Sequence, residues 1–145
     1  MEPFVAWESR YAIGIPLIDK EHKELLTLTN ELYEACREGD EAARGLFKDV
    51  VRRTVQYVKY HFSHEEQILE SITYPELAPH KREHENFVKK VLEEVKNFED
   101  GKTFVPNTFV RYLRDWILSH IAVSDKKYAE YIFQRKKEGS LKVEI

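Results

Sequence analysis

Residues 47–72 read FKDVVRRTVQYVKYHFSHEEQILESI. Phe47, Val50, Thr54, Tyr57, His61, Glu65, Ile68 and Ile72 recur at steps of three or four residues, the period of a single helix face. A helix this long must cover such a stripe with neighbouring elements. Yet the stripe carries His61 and Glu65, and buried imidazoles and carboxylates are costly unless they are paired or bound to metal. One stretch thus predicts both a long amphipathic helix and polar chemistry on its hidden face.

Three further stretches carry the same period. The first runs from about Asp19 to Arg37, with His22 in phase with Leu25, Leu28, Thr29, Leu32 and Cys36. Gly39 stops it, and Asp40 can cap the long helix that follows. Tyr74-Pro75 ends that helix. The third begins between Glu76 and His80, because Pro79 suits only a first turn, and continues through Phe87, Val91, Val95 and Phe98 to Asp100-Gly101. The fourth opens near Pro106 and runs to about Lys137, with Val110, Leu113, Ile117, His120, Ile121, Ser124, Tyr128 and Ile132 on its stripe. Four amphipathic helices with short links predict an all-α fold, an antiparallel up-down-up-down four-helix bundle. The length fits a single domain, 1–145. It divides into an extended N-terminal arm (1–18, with Phe4, Trp7, Tyr11 and Ile15), the bundle (19–138) and a C-terminal tail (139–145).

Composition excludes several classes of function. The net charge is −3 with no basic block, so no nucleic-acid footprint is present. No apolar run approaches the roughly 18 residues of a membrane span. The N-terminus lacks a basic region followed by an apolar stretch, which argues against a signal peptide. Cys36 is the only cysteine, so no internal disulfide forms and Cys36 is read as inert core. A cytoplasmic monomer is expected.

The chemistry lies in His22, His61, Glu65, His80, His84, His120 and Asp125, spread over all four helices. His22 stands about 16 residues before the first turn, His61 about 20 after it, His84 about 15 before the third link and His120 about 14 after it. At roughly 1.5 Å rise per residue, these climbs and descents nearly cancel, so all four segments bring their ligands to one level. His61/Glu65 and His80/His84 are four apart and share a helix face. His120 and Asp125 are five apart, about 140° past a full α-helical turn, which suits a carboxylate reaching sideways between two metals. Structural zinc takes about four ligands and prefers thiolate and imidazole. Calcium and magnesium want oxygen. Mixed imidazole and carboxylate ligation fits iron, or less well manganese. Two octahedral metals offer about twelve positions. Five nitrogens, two bridging carboxylates and a shared oxo or hydroxo fill all but one, which leaves a seat for a small exogenous ligand.

The motifs Ile18-Asp19-x-x-His22, His61-Phe62-x-x-Glu65-Glu66, His80-x-x-x-His84 and Trp116-Ile117-x-x-His120-Ile121-x-x-x-Asp125 resemble the hemerythrins, in particular the single-domain bacterial ones. The resemblance runs from Trp7 to about Tyr131. It implies two iron ions with a bridging oxo or hydroxo. His80, His84 and His120 would hold one iron, His22 and His61 the other, and Glu65 and Asp125 would bridge them. It implies reversible dioxygen binding at the less-liganded iron, in a pocket for which Trp116, Ile117 and Ile121 are the matching apolar residues. The role would be oxygen storage, delivery or sensing, and small anions such as azide should occupy the same seat. No catalytic residue is assigned.

The remaining polar residues have plainer readings. His64 is read as a boundary or surface residue, Glu66 as a solvated or supporting carboxylate, and Trp7 as packing for the arm. A di-iron oxidase, peroxidase or nitric-oxide-handling enzyme is the alternative function. The stripes show no further buried acid to deliver protons, which counts against it. A third reading is an iron or redox sensor acting through a protein partner.

Overall fold

The computed structural model describes residues 3–36, 41–101 and 106–139. A 3-10 turn at Ser9–Tyr11 precedes α1 (Pro16–Cys36), α2 (Glu41–Ser71), α3 (Leu77–Glu99), α4 (Pro106–His120), a π-helical turn at Ile121–Asp125 and α5 (Lys126–Lys137). No strand occurs among the described residues. The segment from α4 through the π turn to α5 is unbroken, so the architecture is the expected all-α four-helix bundle. α1 packs on α2 and on α4, and α2 packs on α3. No described helix is long and apolar enough to cross a membrane.

The helix boundaries follow from local chemistry. α1 starts at Pro16 rather than Asp19, because proline's fixed φ and missing N–H suit a first helical position. Asp19 turns back instead, and its carboxylate accepts the Ile13 and Gly14 amides at 2.8 and 3.2 Å. That contact ties the arm to the bundle. A second tie is reciprocal: Val5 N–H donates to Asn30 Oδ1 and Asn30 Nδ2 donates to Val5 O, both at 2.8 Å. Val5, Tyr11, Ile13 and Ile15 are buried, so the arm belongs to the core.

α2 ends at Ser71, ahead of Tyr74-Pro75. Thr73 adopts φ +55°, and the Tyr74 and Thr73 amides return to Leu69 O and Glu70 O at 3.0 and 3.1 Å. This is the paired return of a Schellman cap, with threonine where glycine is usual. α3 begins at Leu77, so Pro79 sits in its first turn as expected. The signals at Arg37, Gly39 and Asp40 and the tail beyond Gly139 lie outside the described residues.

The stripes meet in the core. Leu32, Leu69, Val110, Leu113, Tyr128 and Ile132 are fully enclosed. Tyr57, Ile68, Val95, Phe98 and Cys36 lie at the stripe margins and are half-buried. On the fourth helix the stripe passes through Asp125 rather than Ser124, which is half-exposed. The π turn causes that shift.

Candidate metal centre

The bundle gathers His22 from α1, His61 and Glu65 from α2, His80 and His84 from α3, His120 from the end of α4 and Asp125 from the end of the π turn. All seven are buried. Their ligand atoms form two clusters, each with its members within 4.8 Å of one another. One holds His80, His84 and His120, the other His22 and His61, and both contain Glu65 and Asp125. Asp125 is the hub of three contacts: its Oδ1 lies 3.3 Å from His80 Nε2 and 3.1 Å from His120 Nε2, and its Oδ2 lies 3.0 Å from His22 Nε2. Glu65 Oε1 lies 3.0 Å from His61 Nε2 and 3.6 Å from His84 Nε2.

The π turn explains how Asp125 reaches this position. On a regular α-helix it would point about 140° away from His120, which was the expectation of a sideways reach. A turn that widens to i→i+5 bonding brings residues five apart onto one face. Asp125 therefore stands directly beside His120.

The far side of the rings is as informative. His61 Nδ1 pairs with Glu21 at 2.7 Å, His84 Nδ1 with Glu66 at 2.8 Å and His120 Nδ1 with Glu83 at 2.9 Å. A carboxylate only accepts, so each Nδ1 donates, and a neutral ring must then present Nε2 as a lone pair. His84 and His120 set two such nitrogens 3.0 Å apart, which only a shared proton or a cation makes favourable. His22 Nδ1 and Nε2, Glu65 Oε1, His80 Nε2 and both Asp125 oxygens make no well-formed hydrogen bond, although some of them face one another at 3.0–3.3 Å and buried polar atoms are normally paired. Converging acceptors, with carboxylates steering three of the rings from behind, are the arrangement of a metal site. The donor set fits a di-iron centre.

Three supporting residues escaped the sequence reading. Glu21 is buried, which corrects the expectation that no further buried acid exists. Its second oxygen pairs with His64 Nδ1 at 2.7 Å, so His64 is half-buried and partnered rather than a plain surface residue. Burial raises the Glu21 carboxyl, but the bonds to His61 and His64 outweigh it and leave it below the usual range. Glu83 also receives the Ser124 hydroxyl at 2.7 Å. Tyr128 Oη donates to Glu65 Oε2 at 2.7 Å. Burial, reinforced by Glu65 and Asp125, holds that phenol well above its ordinary pKa, so it remains a donor. A signal was present: Glu21, Glu66 and Glu83 each adjoin a ligand in sequence and bond a ligand on another helix.

A small apolar space adjoins the centre, about 10 Å³ in volume, room for about one water-sized molecule. Trp116, Ile117 and Ile121 line it together with Leu25, Val58, Phe62 and Phe87. It touches His22, His61, His120 and Asp125, whereas His80 and His84 do not line it. Elsewhere, burial pushes the Cys36 thiol up to about 11, in keeping with an unreactive sulfur. The Trp7 ring lies edge-on to Tyr11 at 5.7 Å with the Lys23 ammonium over it, so it packs the arm.

Comparison with known proteins points the same way. The chain is 33% identical over 128 residues to a bacteriohemerythrin of Stenotrophomonas maltophilia (strain R551-3), covering 88% of this chain and 81% of that one. It is 30% identical over 126 residues to a bacteriohemerythrin of Clostridium acetobutylicum, covering 86% and 98%. The crystal structure of wild-type hemerythrin superposes with a TM-score of 0.82 at 26% identity, over 88% of this chain and 96% of that one. The Hemerythrin HHE cation binding domain matches residues 13–132. That span includes every side chain of the two clusters, and the chain belongs to the hemerythrin family.

Proposed function

We propose that this protein binds dioxygen reversibly at a di-iron centre, for storage, delivery or sensing. Membership of the hemerythrin family supports an oxygen-binding role over an enzymatic one, and the fold and cluster fit such a centre. His80, His84 and His120 would hold one iron, His22 and His61 the other, with Glu65 and Asp125 shared and an oxo or hydroxo bridge between. The first group offers five side chains and the second four. With the bridge, six-coordination is filled on one side and one position short on the other. Bound iron would supply the electrons and the open position for dioxygen.

One observation carries this reading: the apolar space touches both histidines of the group with the open position, His22 and His61, but only His120 of the three histidines in the other group. Its aromatic and aliphatic wall admits a small apolar ligand and excludes water and proton donors. Glu21, the additional buried acid, does not line that space. It stands behind His61, where it orients the ring instead of feeding protons to a ligand.

Anaerobic, iron-loaded protein exposed to air should change colour, and evacuation should reverse the change without loss of iron. Small anions such as azide should bind the oxidised centre at the same position. An aerated spectrum that vacuum does not alter, with peroxide accumulating in solution, would overturn the proposal in favour of the oxidase alternative.

A further inference from the structure

Two cavities share one aromatic ring in their walls. A groove of about 710 Å³ runs along the surface between α2 and α3. Phe62, Val88 and Leu92 form much of its apolar wall, and the buried His84 also lines it. The small space beside His22 and His61 lies within. Phe62 is the residue that the two share.

We infer that this groove is the path by which dioxygen and small anions reach the centre, with the Phe62 side chain as its gate. The inference rests on the function proposed above. The ring contacts single out Phe62. One face lies flat on His84, with centroids 3.7 Å apart and planes at 2°. Its other aromatic neighbours meet it at an angle: 64° to Phe87, 58° to Trp116, 57° to His120 and 47° to His61. With a single stack to break, the buried Phe62 ring is held by fewer face-to-face contacts than Trp116. Trp116 also lines the inner space and is half-buried, yet it is clamped on both faces. It stacks on Phe87 at 3.9 Å and 14° and on His120 at 4.5 Å and 12°. Leu25, Val58, Phe87, Ile117 and Ile121, on the remaining walls, do not line the groove. The groove side is thus one movable ring thick, and its apolar wall suits a ligand that needs no hydrogen bonds on the way in.

A gate changes the height of a barrier and leaves both end states alone. In iron-loaded, oxidised protein, Phe62→Ala should raise the association rate constant of azide by about tenfold. Ser63→Trp places a bulky ring on an exposed position of the groove wall, away from the inner space, and should lower the association and dissociation rate constants together by about tenfold, with Kd unmoved. Ser63→Trp decides the matter if Phe62→Ala does not fold, and rate constants equal to those of the unsubstituted protein in Ser63→Trp overturn the inference. Xenon pressurisation of metal-free crystals gives a reading independent of iron, since xenon settles in apolar cavities. Density is expected in the groove beside Phe62 and, in Phe62→Ala, continuous with the inner space; xenon inside with none on the groove side also overturns the route. Should the protein bind neither azide nor dioxygen, the proposed function fails while the xenon experiment still judges the path.

Discussion

At the scale of single residues, the centre is held from behind as much as from within. Tyr128 Oη donates to Glu65 Oε2 in a fully buried setting. Hydrogen bonds to charged groups contribute about 1.5–3 kcal/mol. Tyr128→Phe keeps the ring and removes the donor, so metal-free protein should lose about that much stability. A lower urea midpoint at unchanged slope would register it; an unmoved midpoint would mean the bond contributes nothing. Glu21→Gln is subtler. Glutamine has one acceptor oxygen where Glu21 now serves both His61 and His64. Carboxylates behind ligand imidazoles typically affect metal affinity by 10–100-fold, so Glu21→Gln should weaken one of the two metal equivalents by about that factor. Competition against a chelator of known affinity would show a biphasic curve, and equal loss at both sites would refute the pairing of Glu21 with the His61 side.

The helices show what sequence can and cannot reveal. The stripe of α2 is legible because its eight positions need only a 3.6-residue period, and His61 and Glu65 stand out as polar on it. The π turn was not legible. Ile121–Asp125 contains no proline, glycine or other breaker, so periodicity alone ran an α-helix straight through it and placed Ser124 on the stripe. The five-residue spacing of His120 and Asp125 was the one sign, and it was read as a sideways reach. The supporting carboxylates were hidden for a different reason. Glu21 and Glu83 flank the stripes, where charged residues usually meet solvent, and their partners sit on other helices. A prediction follows for the π turn. With Ala122 deleted, His120 and Asp125 become four apart, about 40° past a full α turn, and share a face without the wide turn. Ala122 is exposed, so its removal costs little packing. The deletion protein should keep its helicity by circular dichroism and still bind two metal equivalents. Loss of metal binding in a folded deletion protein would show that the π geometry itself is required.

For the whole molecule, metal and fold are linked. Seven buried polar side chains converge where hydrocarbon would otherwise sit, and several of their atoms make no well-formed hydrogen bond. A ligand that binds only the folded state stabilises it, so chelation should lower the melting temperature and two equivalents of iron should restore it. The pH dependence has a definite sign. Burial pulls His61 down, but Glu65, Glu21 and Asp125 outweigh it and raise the ring to about 10 in metal-free protein, against about 6.5 when unfolded. The proton on His61 therefore stabilises the metal-free fold fully below about pH 6.5, and that contribution is lost as pH rises through about 10. Metal at Nε2 must displace the same proton. Burial, followed by the repulsion of His120 and His80, holds His84 down to about 2, so that ring is already neutral at pH 7 and gives up none. Loading at pH 7 should thus release protons, and apparent metal affinity should climb from pH 7 to 9. Calorimetric titration in two buffers of different ionisation heat counts the protons, and His61→Ala should lower the count by about one. A loading heat independent of buffer would mean that His61 carries no proton to lose, and that the carboxylates around it do not hold it charged.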